Sequence, residues 1–296
     1  MGQTAAMVRL LDHLVLPTAD LDAARTRLNR LGFTVAPRGI HPFGTGNCCV
    51  YFADGTFIEP LVVVDEHAAE AAVKSGNVFV ARDRSYRQAF GPEGFSAVVF
   101  AGDNADDEHR AYVEAGISAG DRLDFSRPFI DAAGRSDTAS FRLAFAALPD
   151  VQGTYVFTCQ RVNSPKVDRS ALEQHENGTT RICEIIAVSE DPAGTAGFLR
   201  LSADYDRSGT SDGVVPDLPN ARLRVLTSGH YAEKTGLAPR GHGLLSFEAV
   251  VFCVRDIDAL RRGLVSHGID HDIREGQVVV APAPGQGATF IFQESA

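Results

Sequence analysis

Apolar runs with the character of β-strands recur along the chain, and each precedes a stretch with the apolar spacing of an amphipathic helix. In segment 10–33 the run is followed by Asp20 and then by a helix-like pattern that ends at Gly32, 12 residues later. Asp is a preferred helix N-cap, and Gly is the commonest residue just past a helix end. The pattern predicts a strand followed by a helix.

The same unit occurs three more times. Segments 95–117 and 247–269 keep the 12-residue spacing between cap and glycine, and segment 182–203 is a weaker copy that lacks the closing glycine. Generic strand–helix units also begin at Asp and end at Gly, but three matches in one register favour an internal repeat. The predicted caps of these copies are Asn104, Asp256 and Asp191.

Strand-like sequence follows each predicted helix. In the first unit Asp54 and Gly55 separate the runs 48–52 and 56–64, and an Asp-Gly pair between two apolar runs is a strong hairpin signal. Each unit therefore reads as a strand, a helix and two or three further strands. The chain is predicted to have an α+β fold of four βαβββ modules.

Polar composition marks the boundary between two halves. Residues 161–180 are polar and show little periodicity, so we predict a linker there. Modules one and two then lie in 8–160, and modules three and four in 181–296. A second polar stretch, 203–219, is predicted to be a loop inside module three. A length of 296 residues is enough for two such domains.

Composition narrows the class of protein. With 44% hydrophobic and 22% charged residues the chain is globular, and a net charge of −10 without runs of Lys or Arg disfavours nucleic acid as a partner. Five cysteines, an odd number without a C-x-x-C pair, argue against a disulfide framework and fit a reducing cytosol. The start of the chain has no long apolar segment, so we expect a cytoplasmic protein without membrane contact.

Three stretches of module one resemble a known family. They are LDHLVL with the helix start DLDAA, then GIHPFGTGN, then GTFIEPL. They resemble the glyoxalase-like members of the vicinal oxygen chelate superfamily. This resemblance implies that the modules pair into two curled mixed sheets with clefts, one glyoxalase-like domain in each half. It also implies a divalent metal (Zn, Fe, Mn or Ni) held by side chains of the first and last strands.

His13 and Glu59 occupy the metal-ligand positions that the resemblance implies. Both interrupt apolar strands, where an unpaired carboxylate is costly to bury, and imidazole with carboxylate suits these metals. Two alternatives stay open. His13 could be a core histidine bonded to a backbone carbonyl, and Glu59 could form a structural ion pair with Arg9 or Arg38.

The other modules do not complete a ligand set. The matching positions are Ala97 and Phe157 in module two and, by aligning 289–292 with 56–59, Ala249 and Phe292 in module four. None of these side chains can bind a metal.

Module three offers Glu184 on its first strand, facing a base that we place at Arg224. Because a catalytic metal usually needs three protein ligands, the third could come from His41, His175 or Glu184. His175 could equally be an exposed linker residue.

Two further sets of polar residues are candidates for substrate contacts. His41, Thr45 and Asn47 belong to a glycine-rich loop whose backbone can approach a ligand closely, although a plain turn would explain it too. Arg142 and Gln160 lie in apolar strands. They either line the cleft and bind an anionic group or face solvent on the outer side of the sheet.

The resemblance implies a metal-dependent lyase or isomerase that acts on a small oxygenated substrate of the carbonyl or hydroxy acid type. The metal would stabilise an enolate as a Lewis acid, and Glu59 would be the base if it left the metal. One alternative is a metal-free protein of the same fold that sequesters a small molecule. Another is an extradiol-type ring-cleaving dioxygenase. We expect a small-molecule partner and either a monomer or a homodimer.

Overall fold

The computed structural model describes residues 8–130, 136–165, 168–204, 217–241 and 243–295. The predicted loop 203–219 lies largely outside these residues. The helices are α1 (Leu21–Arg30), α2 (Glu66–Lys74), α3 (Val78–Phe90), α4 (Ala105–Glu114), α5 (Pro192–Ser202), α6 (Ser228–Thr235) and α7 (Ile257–Ser266).

The strands of the first half are β1 (Leu11–Pro17), β2 (Gly39–Ile40), β3 (Thr45–Asn47), β4 (Val50–Tyr51), β5 (Phe57–Val63), β6 (Ala97–Gly102), β7 (Leu123–Ile130), β8 (Ser136–Ala146) and β9 (Tyr155–Asn163). Those of the second half are β10 (Thr179–Val188), β11 (Arg222–Leu226), β12 (Ser246–Val254), β13 (Asp272–Arg274), β14 (Gln277–Val280) and β15 (Thr289–Glu294).

These strands form two mixed sheets, which confirms the predicted fold class. The first has the order β2-β3-β5-β1-β6-β9-β8-β7 with β4 paired to β5, and the second has the order β11-β10-β12-β15-β14-β13. In each sheet the first strands of two modules pair antiparallel, β1 with β6 and β10 with β12. Module one therefore joins module two, and module three joins module four.

The local signals that define the modules are confirmed. Each predicted cap accepts a backbone N–H from the first turn of its helix, and the three closing glycines have φ between +61° and +82°. The strands on either side of Asp54 and Gly55 pair antiparallel. The caps are Asp20, Asn104, Asp191 and Asp256, and the glycines are Gly32, Gly116 and Gly268.

Strand register corrects one sequence alignment. Glu59 pairs with Val15 in module one, and the corresponding pairs are Val99 with Phe157 and Ile186 with Arg224. In module four, however, Val251 pairs with Ile291, so the counterpart of Glu59 is Ile291. Our choice of Phe292 was wrong by one residue, a slip that moves a side chain to the other face of the strand.

Helices α2 and α3 lie between modules one and two and were not predicted. Asp65 and Asn77 cap them by accepting backbone N–H groups of their first turns. Phe79 of α3 is buried and packs in the same cluster as Val15 and Phe157. The inserted helices therefore help to close the first sheet over its own apolar core.

The two halves share a second core. Phe33, just after α1, packs against Phe252 of the second sheet with ring centroids 5.3 Å apart. A Cβ at Gly32 would lie 2.8 Å from the Cβ of Asn177, so only glycine permits this approach of the chain that leads into β10. The end of the predicted linker is thus packed against module one.

Cysteine placement differs from the sequence expectation for one pair. Cys183 of β10 and Cys253 of β12 form a disulfide with their Cα atoms 5.7 Å apart. Cys48, Cys49 and Cys159 are free and buried. None of the helices in the described ranges is long and apolar enough to cross a membrane.

Candidate active site

Asp12 and His13 are neighbours in β1, yet their side chains meet. Asp12 Oδ1 lies 2.6 Å from His13 Nδ1, and both residues are buried. Successive residues of a regular strand point to opposite faces, but the pairing of β1 with β6 shifts register between Leu11 and His13. Such a bulge re-aims a side chain, which explains how both groups reach one site.

Arg161 completes a polar chain behind His13. Its guanidinium donates to both carboxylate oxygens of Asp12, at 2.5 and 2.8 Å. Burial raises the pKa of Asp12, but the hydrogen bond and charge of His13 and the charge of Arg161 outweigh it and hold that pKa below its ordinary value. Asp12 is therefore a buried carboxylate that orients the His13 ring through Nδ1.

Glu59 is the centre of the site. It lies on β5 with 5% of its surface exposed, and its Oε1 accepts a hydrogen bond of 2.6 Å from the Asn47 amide. The Nε2 atoms of His13 and His41 lie 3.5 Å from Oε2 and 3.6 Å from Oε1, respectively. Three nitrogen-bearing side chains thus surround one carboxylate.

His41 is held in its neutral form. Its Nδ1 lies 2.9 Å from the Thr45 hydroxyl, which leaves Nε2 turned toward Glu59. Burial lowers the pKa of His41 to about 4; the charge of Glu59 opposes the shift, while Arg127 and His13 add to it. At neutral pH this ring carries no charge.

These polar groups open into a cavity of about 810 Å³. That volume suits a small organic ligand. Phe57 stacks on the His13 ring with centroids 4.3 Å apart, and Phe43 stacks on His41 at 5.1 Å. Aromatic rings therefore pack against both imidazoles at the reactive end of the cavity.

The structure brings together five of the predicted site residues and separates the others. His13, His41, Asn47 and Glu59 line the cavity, and Thr45 holds the His41 ring from behind. The remaining candidates are Arg142, Gln160, His175 and Glu184, which do not line it.

Arg142 and Gln160 have partners elsewhere. Arg142 pairs with Asp106 and Asp124, and the Gln160 side chain accepts the backbone N–H of Ala105 at the start of α4. Neither side chain lines this cavity, because Arg142 reaches toward α4 and β7 and Gln160 toward the start of α4. Their contacts with a substrate stay a prediction.

His175 and Glu184 are also engaged. His175 accepts from Thr34 N at Nδ1 and lies 2.9 Å from the Tyr51 carbonyl at Nε2, and burial lowers its pKa to about 4. Glu184 belongs to the second sheet, where Arg224 binds both of its oxygens at 3.0 and 3.2 Å. Neither side chain joins His13 and Glu59 as a third ligand.

Sequence reasoning missed Asp12 and two arginines. Regular strand alternation predicts that the side chains of Asp12 and His13 point to opposite faces of β1. The bulge between Leu11 and His13 is what brings both side chains to the same site. Arg127 lines the cavity from β7, and Arg169 lines it from the predicted linker. Nothing in the sequence around these two arginines distinguishes them from arginines on the surface. Arg161 carried a usable signal, a charge within an apolar strand.

The arrangement does not fit the divalent metal that the resemblance implies. Throughout the described ranges, no group of three or more His, Cys, Asp or Glu could hold a metal ion. Oε1 of Glu59 is already occupied by its hydrogen bond from the Asn47 amide. The assignment of His13 and Glu59 as metal ligands stays a prediction.

Paired βαβββ modules whose mixed sheet surrounds a cleft define a protein of the vicinal oxygen chelate class. A family model described as "Glyoxalase-like domain" matches residues 11–201. The chain belongs to this glyoxalase-like family. No curated protein matches it.

Solved structures share the fold at low sequence identity. A hypothetical protein from Staphylococcus aureus is 13% identical with a TM-score of 0.62, covering 96% of this chain and 99% of its own. A triple mutant of 4-hydroxymandelate synthase from Streptomyces coelicolor is 13% identical with a TM-score of 0.58, covering 97% and 93%. The Mn(II)-bound glyoxalase from Novosphingobium aromaticivorans is 12% identical with a TM-score of 0.49, covering 98% and 83%. The first two similarities show the fold alone.

Proposed function

We propose that the chain is a lyase or isomerase that transfers a proton at a carbon next to the carbonyl or carboxyl group of a small oxygenated substrate of the carbonyl or hydroxy acid type. One observation carries this proposal. The buried carboxylate of Glu59 faces a cavity of about 810 Å³ while its other contacts hold it in a single position. A buried carboxylate that faces a cavity large enough for a substrate is suited to general base catalysis.

Each polar side chain then has a role. Glu59 takes the proton from carbon, and the electron pair moves toward the substrate oxygen as an enolate. His13, in its imidazolium form with Nδ1–H held by Asp12, donates its Nε2 proton to that oxygen. In an isomerisation Glu59 then delivers its proton to the neighbouring carbon, and His13 takes a proton back from the other oxygen. In a lyase reaction the enolate electron pair instead expels a leaving group from the next carbon; the leaving group takes the His13 proton, and the Glu59 proton returns to His13 through solvent.

Neutral His41 and the Asn47 amide orient Glu59. Because His41 is uncharged, it does not hold Glu59 in a permanent ion pair that would weaken the base. None of these steps requires a metal. A cytoplasmic location is part of the proposal: the three free buried cysteines agree with it, whereas the Cys183–Cys253 disulfide is atypical of that compartment.

Deuterium exchange tests the proposal. Mandelate, phenylpyruvate and the hemithioacetal of methylglyoxal with glutathione are incubated in D₂O, and loss of the α-proton is followed by NMR. We expect wild type to accelerate exchange of at least one probe tenfold or more, and Glu59→Gln to return it to the buffer rate. Glu114→Gln, a charge-matched change at the exposed end of α4, should behave as wild type. If wild type exchanges no probe faster than Glu59→Gln, the proposal is wrong.

A further inference from the structure

Among the described residues, four arginines line the cavity of a protein whose net charge is −10. They are Arg38, Arg127, Arg161 and Arg169, and the acidic side chains in the same part of the lining are Glu59 and Asp168. Positive charge in a cleft attracts anions, since low-dielectric walls focus its field. An arginine of this wall that has no carboxylate partner is therefore a candidate to bind an anionic ligand.

Two of these arginines already have carboxylate partners. Arg161 is bound to Asp12, and Arg38 pairs with Asp22 on the exposed surface. Arg169 instead lies over the Tyr51 ring, 4.6 Å from its centroid, on the part of the chain that leads from β9 to β10. This cation–π contact leaves the edge of the guanidinium available for hydrogen bonds.

Arg127 reaches the reactive end of the cavity. A Cβ at Gly39 would lie 2.6 Å from Arg127 Nη1 and 2.5 Å from Asn47 Oδ1, so both side chains crowd the same glycine. Asn47 in turn donates to Glu59. An anion bound to Arg127 would therefore lie beside the base.

The rest of the wall is aromatic. Phe125 and Phe141 stack with centroids 5.1 Å apart, Tyr51 lies 5.3 Å from Phe57, and all four rings line the cavity together with Phe157. Flat aromatic surfaces favour a planar ring through offset-stacked or edge-to-face contacts. The planar fork of Arg127 matches the two oxygens of a carboxylate.

We propose that this cavity binds an aromatic carboxylate, with the carboxylate on Arg127 and Arg169 and the ring among Phe57, Phe141 and Phe157. The part of this inference that concerns the ligand atoms next to Glu59 rests on the proposed function. A carboxylate on Arg127 places the neighbouring carbons near Glu59, so the substrate class is an aryl-substituted acid with an acidic C–H there: on C2 of a 2-hydroxy acid, or on C3 of a 2-oxo acid.

Binding of three probes to the full chain tests this inference without turnover. The probes are 2-naphthoate, its uncharged analogue 2-naphthamide, and acetate as a competitor. Because the chain contains no tryptophan, naphthyl fluorescence reports binding without interference from indole emission. We expect 2-naphthoate to bind at least tenfold more tightly than 2-naphthamide, and equimolar acetate to displace neither.

Arg127→Met should remove the tenfold preference, since Met keeps much of the length and loses the charge. Arg122→Met is the matched control, because Arg122 pairs with Asp106 and Asp124 outside the cavity. Equal affinity of wild type for 2-naphthoate and 2-naphthamide overturns the inference, even if Arg127→Met cannot be purified. So does a preference that Arg127→Met retains.

The two proposals fail separately. A preference for 2-naphthoate without any deuterium exchange supports the carboxylate site, contradicts the proton-transfer function and indicates a sequestering protein. Exchange that depends on Glu59 without a preference for 2-naphthoate supports the function and overturns the aromatic carboxylate.

Discussion

The Asp12 carboxylate lies 2.6 Å from the His13 imidazole although the two residues are adjacent in one strand. The β-bulge against β6 makes this contact possible, and Arg161 neutralises the carboxylate from its other side. A carboxylate behind an imidazole fixes the ring's orientation and tautomer. This relationship makes His13 a reactive group with a single presented nitrogen.

Asp12→Asn tests that role. We expect the exchange rate at saturating substrate to fall at least tenfold with KM little changed, because substrate binding does not use Asp12, whereas positioned acid–base groups contribute about 10²-fold or more. The measurement is the rate of exchange against substrate concentration and pH. Asp22→Asn, which removes the exposed partner of Arg38, is the control and should stay within about twofold. A change in KM alone would assign Asp12 to binding.

Stability should depend on pH through His41. Its folded pKa of about 4 lies below the ordinary value of 6.5, so the unfolded chain binds more protons between these values. The stabilisation is present above pH 6.5 and is lost as pH falls toward 4, by roughly 2 to 3 kcal/mol at 1.36 kcal/mol per pKa unit.

Urea denaturation at pH 7 and pH 4.5 measures this effect. The difference in unfolding free energy between the two pH values should be smaller by that amount in His41→Gln. It should be unchanged in His67→Gln, which alters an exposed residue of α2. An undiminished difference in His41→Gln would show that His41 is protonated in the folded protein.

Metal content decides the ligand assignment that the family resemblance implies. Because no group of three or more ligating side chains occurs among the described residues, we expect protein purified without chelator to hold less than about a tenth of an equivalent of Zn, Fe, Mn or Ni. Elemental analysis of wild type, His13→Ala and Glu59→Ala measures it. A full equivalent in wild type that both variants lose would establish His13 and Glu59 as ligands.

Substitution of Glu184 tests whether the cavity around Glu59 is the functional site and the second sheet is not. It pairs with Arg224, whose side chain is 49% exposed, in a sheet separate from the cavity. Glu184→Gln should leave exchange and 2-naphthoate binding within about twofold and change stability by less than about 1 kcal/mol. Loss of either activity comparable to that in Glu59→Gln would place a functional site in the second half.

Replacing Gly39 by alanine should weaken ligand binding, although it adds only one methyl group. A Cβ there would overlap Asn47 Oδ1 and Arg127 Nη1, two atoms beside the base. We expect Gly39→Ala to weaken 2-naphthoate binding about tenfold, because Arg127 and Asn47 must move. Gly197→Ala on α5, where a Cβ would meet nothing within 4 Å, is the control. Equal affinity of both variants would show that the crowding is unimportant.

The modular fold was accessible from the sequence because its signals are local. Caps, closing glycines and the Asp54-Gly55 turn act within a few residues, so periodicity located them correctly. The α2 and α3 insertion escaped because it is not part of the repeat. Phe292 was misassigned because strand register depends on the neighbouring strand rather than on sequence alignment.

By itself the sequence determined the four modules and the pairing of His13 with Glu59 as a candidate site. Only the tertiary structure decided which other residues join them. The bulge that turns Asp12 toward His13 arises from pairing with β6, and Arg127 approaches Asn47 only because β7 belongs to the same sheet as β3. Local preferences are encoded within a few residues, whereas a site built across strands depends on register and sheet curvature.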